Sequence, residues 1–121
     1  MKSKQEILRN LANFTGTEQY HRWSPLFKNV VLTDGTMYLA EQGIFWLMDV
    51  IGSLLPLPII KKEPFLTAVY NKENQLFTLD DGNGNVLYSQ DIPSPTFPLD
   101  SIRLFVTDGE GYKVIMLPQE Y

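Results

Sequence analysis

The proline-free run MYLAEQGIFWLMDVIGSLL, residues 37–55, constrains the architecture of this chain more than any other segment. It is too long for a strand and almost wholly apolar, so it predicts a single central helix buried around most of its circumference. Pro56 and Pro58 end it, since proline has no amide hydrogen to donate and crowds the preceding turn. On a helical wheel Glu41, Gln42, Phe45, Asp49, Gly52 and Ser53 share a sector of roughly 120°, the polar stripe of this helix. That stripe argues against a membrane span, although residues 43–60 carry a single charge and approach the length of one.

Beyond Lys61 and Lys62 the periodicity shortens. Residues 65–70, 75–79, 86–89, 102–106 and 113–117 are short runs rich in aromatic and β-branched side chains, which predicts five strands. Their links Asn71–Asn74, 81–85 (DGNGN) and 108–111 (DGEG) carry turn residues and predict antiparallel hairpins. Residues 91–100 hold Pro93, Pro95 and Pro98, so this link is read as a loop crossing an edge of the sheet. Upstream, residues 30–33 form a sixth strand candidate closed by a tight Asp34-Gly35 turn.

At the N-terminus Ser3 and Glu6 make a capping box ahead of Ile7, Leu8, Leu11 and Phe14, which predicts a first helix over residues 4–13. Thr15-Gly16-Thr17 is read as its stop, with the glycine supplying a left-handed residue. The expected fold is therefore α+β: one domain over residues 1–121, with two N-terminal helices packed on one face of an antiparallel sheet of about five to six strands. A 121-residue chain with 44% hydrophobic and 12% aromatic residues can fill such a core without covalent staples, and there is no cysteine to form them. The polar beginning lacks the apolar segment of a signal peptide, and the cytoplasm is the expected compartment.

Charge is unevenly divided. Residues 1–62 carry seven Lys/Arg against five Asp/Glu, whereas residues 63–121 carry three against nine, within a net charge of −4. An acidic half repels phosphate backbones, which disfavours direct nucleic-acid binding and suits either a solvated face or a basic protein partner.

Polar chemistry concentrates in residues 14–23, FTGTEQYHRW, which hold the only histidine. His21 as a base, Arg22 as an anion clamp and a carboxylate from Glu41 or Asp49 are the candidate catalytic residues, with Glu18 or Tyr20 near enough in sequence to orient the imidazole. Two considerations weaken them. Along an extended segment His21 and Trp23 face one way and Arg22 the other, and eight helical residues set Glu41 about 12 Å from Asp49. The segment is read chiefly as an aromatic clasp over the central helix.

Asp81, Asn83 and Asn85 alternate as in a calcium loop, but Val86 and Ile92 stand where glycine and glutamate would be needed, so a hairpin tip is expected. Pro95-Thr96-Phe97-Pro98 meets only the minimal polyproline spacing. Residues 54–60 could dock a partner, yet covering the core is the expected role. No motif calls for a metal or a cofactor.

The segments FTGTEQYHRW, LTDGTMYLAEQGIFWLMDVI and DDGNGNVLYSQDI together resemble an uncharacterised family of small bacterial domains, associated with mobile genetic elements. The resemblance spans nearly the whole chain and brings no catalytic residues with it. The function expected from these readings is a non-catalytic protein-binding or accessory protein, in a narrower form an acidic inhibitor of a nucleic-acid-handling partner. The alternative is a small hydrolase or lyase centred on His21.

Overall fold

The structure, a computed structural model, describes residues 2–121. Helix α1 (Lys4–Leu11) begins where expected, with the Ser3 hydroxyl accepting the Glu6 amide at 3.2 Å, and buries Ile7 and Leu11. It ends two residues before the predicted limit in turn bonds from Asn13 to Asn10 and from Phe14 to Leu11. Gly16 is not left-handed, so the stop is made by these turns rather than by a glycine cap.

Among the described residues seven strands follow: β1 (His21–Arg22), β2 (Val30–Leu32), β3 (Phe65–Asn71), β4 (Leu76–Asp80), β5 (Val86–Asp91), β6 (Ser101–Asp108) and β7 (Lys113–Met116). They form one sheet in the order β1-β2-β7-β6-β3-β4-β5. The expectation of five to six antiparallel strands is corrected on two counts. The two-residue strand β1 is too short to carry a period-2 signal. Strand β2 runs parallel to β7, pairing Val31 with Val114 and Leu32 with Ile115. A three-residue strand contains nothing that encodes the direction of a neighbour more than 80 positions away, which only closure of the fold decides.

The predicted central helix is two helices, α2 (Asp34–Leu39) and α3 (Phe45–Leu54), joined by a wide turn over Ala40–Ile44. Asp34 and Gly35, read as a tight turn, are instead the first helical residues: Thr33 is the N-cap and exchanges hydrogen bonds with Thr36. The break lies at Gln42 and Gly43, where Gly43 adopts φ +88°, a conformation a side chain resists. The wheel drawn for a continuous helix therefore loses its phase at residue 43. Gly52, assigned to the polar stripe, is buried beneath the Phe27 ring. A short helix α4 (Pro58–Lys61) follows, started by the proline that was expected only to end α3.

Buried residues of α1 to α4 join one face of the sheet in a single core. Cross-strand partners Leu32, Ile115, Val106 and Leu66 make a buried row across four strands, and Tyr70 with Phe77 extends it. Leu39, Ile44, Leu47, Met48 and Ile51 cover that row, each contributing roughly 1.5–3 kcal/mol by leaving water. The link from β5 to β6 crosses the helix side of the sheet rather than merely its edge. Its Phe97, inside the PTFP match, is buried against Tyr70 and Trp46. In residues 54–60, Leu54, Leu55 and Ile60 are buried while Leu57 and Ile59 stay exposed. Among the described residues no helix is long and apolar enough to cross a membrane.

Candidate functional site

The densest polar cluster lies at the start of α2, built by Thr33-Asp34-Gly35-Thr36. Thr33 is fully buried and donates to Glu120 Oε1 at 2.6 Å, while the Gly35 amide donates to Glu120 Oε2 at 3.0 Å. The glutamate comes from the last helical turn of the chain, Pro118–Glu120, and its charge meets the positive end of the α2 amide dipoles. A side chain at position 35 would collide with this carboxylate and with Leu117. Thr36 donates to the Ile115 carbonyl at 2.8 Å, which ties α2 to β7.

Asp34 faces the other way and organises residues 14–23. Its Oδ2 accepts the Glu18 amide at 3.0 Å, its Oδ1 lies 2.8 Å from His21 Nε2, and its own amide donates to Thr17 Oγ1. The Glu18 amide, and after it the hydrogen bond to His21, hold the Asp34 carboxyl below the usual carboxylate range.

His21 is thus joined to Asp34, a residue read from the sequence as part of a turn, and hydrogen-bonds neither Glu41 nor Asp49. Asp49 instead accepts Trp23 Nε1 at 2.7 Å. Arg22 is exposed and pairs with Val31 on the opposite side of the strand, as alternation requires. Glu41 is exposed beside the helix break. The four candidates His21, Arg22, Glu41 and Asp49 do not converge on one point. With Phe14 stacked at 5.5 Å on Tyr38, and Trp23 tied to α3, the segment grips both helices.

The tip between β4 and β5 has the geometry of a hairpin. Asp81 accepts the amides of Asn83 and Asn85 and the Asn85 side chain. These bonds, the Asn85 side chain foremost, lower its pKa. Among the described residues no three His, Asp or Glu side chains are grouped to hold a metal ion.

A separate cavity of about 700 Å³ opens between the loop after β1, the end of α3 and the β6–β7 hairpin. Leu26, Phe27, Leu55 and Pro56 form apolar walls, and Lys28, Lys61 and Lys113 also border it. Lys113 Nζ donates to the Glu63 carbonyl at 2.8 Å and to the Asp108 carboxylate. The residues lining it are scattered from 26 to 113, and no local motif announces them.

Helices covering one face of a mixed seven-stranded sheet define a two-layer α+β protein. The chain belongs to the family of unknown function DUF6876, whose model matches residues 5–121. This agrees with the uncharacterised family to which the sequence points; a link to mobile genetic elements has no support in the match. No curated protein matches the chain. A crystal structure of a protein of unknown function from Enterococcus faecalis is similar in fold, with a TM-score of 0.57 and 21% identity over 85% of this chain and 98% of that one.

Proposed function

We propose that this is a non-catalytic protein-binding or accessory protein of the bacterial cytoplasm that acts through the free acidic edge of its sheet. Strand β5 ends the sheet, so one side of its backbone has no strand partner. Exposed edge amides and carbonyls are a template for a further strand supplied by another chain. The single observation that carries the reading is the charge on the β4–β5 hairpin that forms this edge and on the turn leading into it. Residues 72–91 hold Glu73, Asp80, Asp81 and Asp91 against Lys72 alone, and none of these acids takes part in an ion pair among the described residues. Elsewhere in the acidic half three of the five carboxylates are used internally, Asp100 pairing with Lys4, Asp108 with Lys113 and Glu120 capping α2, while Glu63 and Glu110 are not.

The occupant that fits is a basic, extended protein segment. In its narrowest form the protein inhibits a nucleic-acid-handling partner by presenting carboxylates where that partner expects phosphates. Binding to such a partner weakens steeply with salt, and the double substitution Asp80→Asn, Asp91→Asn weakens it at low salt only. Binding that ignores both ionic strength and these substitutions would overturn the proposal.

A second reading, a small hydrolase or lyase centred on His21, draws support from the Asp34 carboxylate at 2.8 Å, the arrangement that orients a catalytic imidazole. Turnover abolished by His21→Ala and retained in the Asp80→Asn, Asp91→Asn variant would favour it over the first.

A further inference from the structure

The cavity beneath Leu26 lies toward the β2–β7 end of the sheet order, away from β5, and is independent of the edge reading. We propose that it binds a small amphipathic carboxylate: an apolar body ending in one negative charge. A volume of about 700 Å³ is in the range of small-molecule sites and too little for a folded partner. Its apolar walls ask for a hydrocarbon or aromatic body. Leu26 stands at the rim 85% exposed, apolar surface that a bound tail would cover.

The charge at the cavity selects the other end of the ligand. Three lysines border it, and the one acid on its lining, Asp108, is already neutralised by Lys113. Lys28 and Lys61 have no ion-pair partner among the described residues, leaving two uncompensated ammonium groups. Lys113 is the fixed point among the three. Its side chain is only 14% exposed, and two of its three donors are committed to Glu63 and Asp108, which leaves the third to reach a bound carboxylate. A carboxylate entering an apolar pocket needs such partners, because desolvation opposes it otherwise. Gly52 shapes the wall. A Cβ there would lie 3.0 Å from the Phe27 ring, so glycine lets that ring lie on α3 as one side of the cavity.

The test is a titration of the isotope-labelled full chain with octanoate, followed by amide chemical shifts, with octanol and octyltrimethylammonium as matched probes. Octanoate is expected to shift amides in residues 26–30, 52–56 and 108–113, octanol to shift them weakly, and the cation not at all. The variant Lys28→Ala, Lys61→Ala alters only exposed side chains and keeps the fold. It should weaken octanoate about tenfold and leave octanol unchanged. Leu26→Ser should weaken both. Absence of shifts at these residues, equal response to the cation, or octanoate affinity indifferent to the loss of both lysines would each overturn the site.

Discussion

Replacing Gly35 by alanine puts a methyl group where the Glu120 carboxylate and the Leu117 side chain already sit. The new carbon would lie 2.7 Å from Glu120 Oε1 and overlap Leu117, which is buried to 1% exposure. Backbone strain is not the issue, because Gly35 is not among the left-handed residues. Overpacking costs about 1–3 kcal/mol. Displacing Glu120 forfeits its charge-assisted bond to the Gly35 amide, about 1.5–3 kcal/mol. Alanine's better helix propensity returns up to about 1 kcal/mol. The net loss is about 3 kcal/mol. With a urea slope near 1.5 kcal/mol/M, the unfolding midpoint falls by about 2 M. The control is Gly16→Ala, where a methyl group would meet nothing within 4 Å and the midpoint should hold. Adding Glu120→Ala to Gly35→Ala should cost less than the sum of the two single changes, since both break the same contact. Equal midpoints for Gly35→Ala and Gly16→Ala would mean that Glu120 does not close on the start of α2.

Gly43→Ala should lose about 1 kcal/mol through its left-handed backbone alone, as a methyl group there meets nothing within 4 Å; Gly43→Asn should lose less, and denaturation of both variants checks the order. Trp23→Phe removes the bond to Asp49 and should cost about 1 kcal/mol, with Asp49→Asn largely silent in the Trp23→Phe background. The depressed Asp34 carboxyl gives stability that is fully present above the ordinary carboxylate range and is lost as pH falls through its lower folded-state value. Asp34→Asn should flatten that acid limb of the stability curve, and an unchanged limb would show that the Glu18 amide and His21 do not hold the charge.

What was legible in the sequence follows from how local each signal is. Strands β3 to β7 lie within a residue or two of the predicted runs because each is short, rich in aromatic and β-branched side chains, and set off from its neighbours by turn residues or prolines. The α1 cap was legible because Ser3 and Glu6 lie three residues apart and meet. Asp34-Gly35 misled, since the same dipeptide serves a hairpin tip and a helix start; Thr33 and Thr36, at capping-box spacing, were the signal available for the second. Gly43 is masked by the long apolar run around it, although a glycine in mid-helix is an ordinary mark of a break. The His21–Asp34 contact and the Glu120 clamp span 13 and 85 or more positions, so nothing short-range predicts them. Alternation did separate Arg22 from His21 and Trp23, because it needs only the strand geometry.

Hydrogen exchange along β5 reports whether this edge takes up a further strand. In the free protein, amides on the unpaired side of Val86–Asp91 should exchange quickly, as no strand accepts from them. An extended peptide alternating lysine and threonine should slow those amides at low salt and release them as salt rises, with Asp80→Asn, Asp91→Asn weakening the effect. Protection that appears elsewhere on the sheet, or that fails to appear on β5 at any salt concentration, would contradict an acidic edge built to pair with a basic chain.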